Sequence, residues 1–162
     1  ADGELLHHSS FIYLRYFHGP RFQSHGGVLR GVENGVDGIA LMRHQLPATD
    51  QFALESEGEE VLLDALPMLI EAGFQNAGLA AMESDGFSSL PIGIEWSTML
   101  RVPEANEKLR VRSIKQATED AGVTVHDVVV VGDDDAPVIA LKGLRLKAMG
   151  EVSEDQRFTL ER

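Results

Sequence analysis

One stretch of this chain carries its apolar residues at helical spacing, and almost everything after it reads as strand. From Pro67 to Met82, the residues Leu69, Ile70, Phe74, Ala77, Gly78 and Ala81 fall on one face of a helix. Proline suits the first turn, where its missing N–H has no intrahelical partner to lose. Gly73 and Gly78 cost helix stability in isolation, so they are expected where the helix lies tight against a sheet. Ser84 to Ser89 is a polar loop that ends the helix. Strands are then expected over Leu90–Leu100, Lys108–Thr118, Val123–Val131 and Val138–Ala148. In the second of these, Leu109 and Val111 alternate against Arg110 and Arg112. Glu119–Gly122 and Gly132–Pro137 supply turns. One long helix and a largely antiparallel sheet must bury their apolar faces on each other, which makes this an α+β chain. Alternating strand–helix units are absent, as are GxGxxG and GxxxxGK[ST], so a doubly wound nucleotide-binding fold is not expected.

Ahead of the helix, Ser9 to Tyr16 is apolar and aromatic, and reads as a short helix or an entering strand. His18-Gly19-Pro20 must break it. Val28–Val32 and Ile39–Leu46 read as two strands, with a hairpin signal over Glu33-Asn34-Gly35-Val36-Asp37-Gly38 because Asn-Gly accommodates positive φ. Pro47 to Glu60 is polar and irregular, the expected mobile loop. The 162 residues suit one domain, with 1–10 and 151–162 as peripheral tails.

Charge narrows the partners. With 26 acidic and 14 basic side chains the formal net charge is -12. Phosphate backbones and anionic bilayers both need a basic surface, so neither nucleic acid nor membrane is expected. There are no cysteines, which excludes disulfides, thiolate metal sites and a cysteine nucleophile. That fits a reducing compartment, and a cytoplasmic location is the expectation. No apolar run is long enough to span a bilayer, and Ala1 to Leu6 lacks the pattern of a signal peptide. The abrupt start reads as that of a domain cut from a longer chain.

Glu71 is the first candidate for chemistry. It lies beside the apolar face of the helix, and Gln75 follows one turn later on the same side. A carboxyl against an apolar groove is disfavoured as its anion and can exchange a proton near neutrality. Gln75 would orient that carboxyl or a water. The plainer alternative is a glutamate favoured by the helix dipole and a glutamine on a solvated edge. His18 is the second candidate. A histidine before a Gly-Pro turn can polarise a carbonyl, and the Gly19 amide can donate to an oxyanion; a turn with a packed aromatic is the alternative. The remaining histidines, His7, His8, His25, His44 and His126, form no HExxH or similar zinc spacing. His126, flanked by valines, reads as structural. No GxSxG elbow is present, and Asp133–Asp135 reads as an acidic turn lacking the full calcium-loop pattern.

Three segments, in order, resemble the dehydratase domains of polyketide and polyunsaturated fatty acid synthases. Tyr16-Phe17-His18-Gly19-Pro20-Arg21-Phe22-Gln23 resembles the family's Tyr-Gly-Pro-x-Phe element, with His18 at the tyrosine position. Leu66-Pro67 through Leu79 resembles its His-Pro then Asp-x-x-x-Gln helix, with Glu71 at the aspartate and Gln75 at the glutamine. Leu90-Pro91-Ile92-Gly93-Ile94-Glu95-Trp96 resembles its Leu-Pro-Phe-x-Trp element, and Pro137 to Met149 its last strand.

The resemblance implies a hot-dog fold, an antiparallel sheet wrapped around one long helix, and specifically the second half of a double hot dog. It implies dehydration of a 3-hydroxyacyl thioester carried on the phosphopantetheine arm of an acyl carrier protein, with no other cofactor. Glu71, Gln75 and His18 would be the catalytic group, and Gly19, Pro20, Phe22, Pro67, Phe74 and Pro91 would bind substrate. A second hot-dog domain, in a homodimer or a double hot dog, is the other implied partner. The family's catalytic histidine lies in His-x-x-x-Gly-x-x-x-x-Pro of the first half, and no such run occurs in these 162 residues. A non-catalytic acyl-binding relic and a hot-dog thioesterase are the alternatives. An acidic carrier would have to dock on a local basic patch, for which Arg101, Lys108, Arg110 and Arg112 are the candidates.

Overall fold

The computed structural model describes residues 5–16, 18–19, 22–41, 60–104 and 107–153. The chain runs β1 (His7–His8), α1 (Ser9–Tyr13), β2 (His25–Val32), β3 (Gly35–Ala40), α2 (Glu60–Asp85) and β4 (Phe87–Gly93). It continues through β5 (Trp96–Met99), β6 (Leu109–Glu119), β7 (Val123–Val131) and β8 (Pro137–Glu151). Every pairing is antiparallel, in the order β1-β2-β3-β6-β7-β8-β4, with β5 also on β8. The sheet curls around α2, and the fold is a hot dog.

The core forms where the inner faces of β6, β7 and β8 meet the apolar side of α2. Leu69, Ala72, Ala77 and Ala81 pack there with Leu109, Val111, Val128, Val130, Leu141, Leu144 and Leu146, all fully or almost fully buried. Each leucine so enclosed contributes about 1.5–3 kcal/mol. Small residues on the helix let it sit close to the sheet. A Cβ at Gly73 would lie 2.8 Å from a Leu141 methyl and 3.2 Å from one of Val128, as expected for a helix tight on strands. Gly78 has a different cause. Its Cβ would lie 2.5 Å from the Tyr16 hydroxyl, so this glycine makes room for the segment after α1. A second cluster joins Ile12, Val28, Val36, Leu79, Ala80, Met82 and Val152.

Several boundaries differ from the sequence reading. The helix begins at Glu60, so Pro67 is interior and not first-turn. Residues 60–66 are mostly good helix formers with no breaker, and Pro67 removes one bond that residue 63 would accept. The helix runs to Asp85, and Gly86 (φ +72°) turns the chain straight into β4, leaving no Ser84–Ser89 loop. The expected strand Leu90–Leu100 is two. β8 carries Gly143 at φ +63°, packed against Glu95, and bends there from pairing with β5 to pairing with β4. Pro91 is tolerated because β4 is an edge strand among the described residues. The hairpin turn is only Glu33-Asn34, with Asn34 at φ +58°. The ambiguous segment from Ser9 forms helix α1. The expected end of the second strand at Leu46 and the loop from Pro47 lie outside the described residues. Among the described residues, no helix is long and apolar enough to cross a membrane.

Candidate active site

α1 and the segment after it bring two tyrosines and a histidine onto one side of α2. Glu71 and Gln75 lie one turn apart on that side. His18 Nε2 lies 2.8 Å from Glu71 Oε1, and the Gln75 amide donates to the same oxygen at 2.9 Å. Both side chains of the His18–Glu71 pair are about one-fifth exposed, so the pair is reachable from solvent. Tyr16, His18, Glu71, Gln75 and Ser89 form the polar wall of a cavity of about 190 Å³. Phe74, Gly78, Leu90 and Pro91 supply its apolar wall. An ionisable pair beside an apolar groove can exchange protons with a bound acyl group.

Gln75 is 2 % exposed and has every polar atom engaged. Its Nε2 donates to the Phe22 carbonyl at 2.6 Å and to Glu71. Its Oε1 accepts from the Tyr13 hydroxyl at 2.6 Å. The Tyr13 oxygen in turn accepts from the His25 backbone N–H at 2.8 Å. Tyr16 donates to the Gln75 backbone carbonyl at 2.9 Å; burial, with Tyr13 and Glu71 nearby, pushes its hydroxyl pKa up.

Behind this wall lies a second, fully buried network. Asn76 Oδ1 lies 2.8 Å from His25 Nε2, and its Nδ2 donates to the Val36 carbonyl at 2.9 Å and Ser113 Oγ at 2.8 Å. His25 Nδ1 accepts from the Gly27 N–H at 3.2 Å, so the ring is neutral with its proton on Nε2. Burial pushes His25 down to about 4, against a partial lift from Asn76.

The structure brings together Glu71, Gln75, His18, Phe74 and Pro91 of the expected residues. Phe22 contributes its carbonyl, while its ring is 55 % exposed. Gly19 is exposed, and its carbonyl accepts from the Phe22 N–H. Pro67 is exposed on α2 and does not line the cavity. Pro20 lies outside the described residues. Tyr13, Tyr16, His25 and Asn76 were not singled out from the sequence as site residues. Their contacts span 12 to 62 positions, so no local spacing announces them.

The basic candidates for carrier docking are mostly matched within the chain. Arg101 grips Glu107 with two nitrogens, Arg112 grips Asp37 likewise, and Arg110 pairs with Asp135. That strand therefore does not present an unopposed basic face. His126 is buried in β7 with Nε2 2.9 Å from Thr124 Oγ1, in keeping with a structural histidine.

Comparison with known proteins places this geometry. No curated protein matches the chain. The dehydratase domain from the CurF module of curacin polyketide synthase is 19% identical with a TM-score of 0.62, over 87% of this chain and 47% of that one. A trans-AT polyketide synthase dehydratase domain from Brevibacillus brevis is 17% identical with a TM-score of 0.61, over 89% and 48%. A hypothetical thioesterase from Streptococcus pneumoniae, solved with coenzyme A, is 14% identical with a TM-score of 0.59, over 90% and 97%. The chain thus spans about half the length of those dehydratase domains and nearly all of that thioesterase. These likenesses share the fold. A family model described as the polyketide synthase dehydratase N-terminal domain matches residues 8–156. Its description names a first half, whereas a helix carboxylate with a glutamine one turn on is what the sequence resemblance associates with the second. With the match covering nearly the whole chain, this protein belongs to the polyketide synthase dehydratase N-terminal domain family.

Proposed function

We propose that this chain acts as the carboxylate-bearing, second-type half of a dehydratase hot dog, removing water from a 3-hydroxyacyl thioester carried by an acyl carrier protein. The observation that carries the reading is the Glu71 carboxyl, held by Gln75 and in contact with His18, at the wall of a cavity whose apolar side is Phe74, Gly78, Leu90 and Pro91. The acyl chain lies on the apolar wall and its 3-hydroxyl meets Glu71. The Cα–H bond breaks with its proton taken by a base, its electrons form the Cα–Cβ double bond, and the Cβ–O bond breaks. Glu71 gives its proton to the departing hydroxyl, so water and a 2-enoyl thioester leave.

His18 and Glu71 touch, so they act as one proton-exchanging unit on one side of the substrate. The α proton then needs a base from elsewhere, and a second copy of this chain, paired with the first as a double hot dog, is its source. The edge strand β4 favours that pairing. Six of its seven residues are exposed, and Phe87, Leu90 and Ile92, with Trp96 on β5, present apolar surface beside a ladder that no strand among the described residues pairs.

The thioesterase reading is favoured by one feature, a carboxylate about one-fifth exposed at the cavity wall, where it can activate a water. Products separate the readings. After incubation with a 3-hydroxyacyl carrier protein, an enoyl thioester supports dehydration. A free acid supports hydrolysis. An unchanged substrate that nevertheless binds supports a non-catalytic acyl-binding domain. Sedimentation of the same sample reads whether two copies pair.

A further inference from the structure

We propose that Tyr13 is a positioning residue for this site: its hydroxyl fixes which end of the Gln75 amide faces Glu71. The proposal rests on the reading above only for its kinetic readout.

An amide side chain has a donor end and an acceptor end, and rotation by half a turn exchanges them. Here two backbone groups of fixed polarity decide the matter. The His25 N–H can only donate, and it donates to Tyr13 Oη at 2.8 Å. Tyr13 must then turn its own proton outward, and that proton goes to Gln75 Oε1 at 2.6 Å. At the other end the Phe22 carbonyl can only accept, and it takes one Nε2 proton at 2.6 Å. The second Nε2 proton is left for Glu71 Oε1 at 2.9 Å. The reversed amide would set an oxygen against both the Phe22 carbonyl and the Glu71 carboxylate. Gln75 is almost wholly buried, so without the Tyr13 hydroxyl its Oε1 is an enclosed acceptor with no donor among the described residues. The amide then swings away to find one, and its grip on Glu71 is lost. Tyr13 is not among the described residues lining the cavity, so it acts through Gln75 and not on the ligand. Its own place is secured by α1, where neighbouring Ile12 is fully buried.

The test is Tyr13→Phe in the full chain. By NMR, the Gln75 side-chain amide pair of the parent is expected to be dispersed and slow to exchange. In the variant it should move to the shifts and fast exchange of an exposed amide. The adjacent Asn76 pair, held by His25, Val36 and Ser113, should not move, which reports an intact fold. With a 3-hydroxyacyl carrier substrate, kcat should fall about 10- to 100-fold with KM within about twofold. An unchanged Gln75 pair beside an unchanged Asn76 pair overturns the proposal. If the variant fails to fold, shown by loss of the Asn76 pair, the parent decides. A slowly exchanging Tyr13 hydroxyl proton close to the His25 amide sustains the proposal, and a rapidly exchanging one overturns it. The amide readout is independent of turnover, so an inactive parent removes the dehydratase reading and leaves this one standing or falling alone.

Discussion

Lowering the pH from 8 to 5 should destabilise this fold through two buried histidines before its carboxylates begin to matter. His25 and His126 are both completely enclosed, and both are held neutral. Burial pushes each down to about 4 from an ordinary value of 6.5, with Lys115 adding to the effect at His126. Below pH 6.5 the unfolded chain binds a proton at each ring that the folded chain refuses. Stability is therefore fully present above 6.5 and is lost as pH falls towards 4. At pH 5 the linkage relation gives a loss of about 2 kcal/mol for each ring, or about 4 kcal/mol together, from a total that for such domains is about 5–15 kcal/mol. The depressed carboxyls act later. Burial would raise Asp37, but Arg112 and Arg30 more than offset it, and Arg101 holds Glu107 down at about 2. Urea unfolding at pH 8, 6.5 and 5 measures the loss directly. His126→Gln removes one titrating ring while retaining a hydrogen-bonding side chain, and should cut the loss to about 2 kcal/mol. A parent whose stability is flat over that range, or a variant whose loss equals the parent's, would refute the linkage argument.

Three other perturbations follow from the same contacts. Gly78→Ala places a methyl 2.5 Å from the Tyr16 hydroxyl, and should cost about 1–3 kcal/mol by chemical denaturation. Gly38→Ala drives a Cβ to 2.5 Å from the His25 ring and 2.8 Å from Asn76 Oδ1, so its cost should be at least as large, about 2–4 kcal/mol; no change would mean the network is not packed as described. Asp37→Asn leaves Arg30 and Arg112 without their carboxylate, and these arginines are about half exposed. The loss should be only about 1 kcal/mol, and the parent–variant difference should shrink in high salt.

The strands after the helix were legible because valine-rich runs between glycines allow little else. β7 occupies Val123–Val131 as read, bounded by Gly122 and Gly132. Gly73 likewise announced a close approach to the sheet. Pro67 misled, because a proline that suits a first turn can also sit inside a longer helix whose other contacts outweigh one missing bond. The division between β4 and β5 depends on a bend in β8 at Gly143, some fifty residues away, and local pattern does not record it. At the site, Glu71 and Gln75 were legible because helix geometry puts residues one turn apart on the same side. The groups that orient them were not, since Tyr13 and His25 meet Gln75 and Asn76 only through the fold. One signal was present. Gln75-Asn76 interrupts an apolar helix face with two amides in succession, and both prove to be buried and fully bonded.

The central claim is that Glu71 is the acid of a dehydration, and mass spectrometry of a 3-hydroxyacyl carrier protein tests it most directly, with the parent chain and Glu71→Gln run side by side. The account predicts that the acyl carrier loses one water with the parent, and that the variant is slower by about 10²–10⁴-fold. Equal rates in the two samples, or hydrolysis to a free acid in place of water loss, would contradict it.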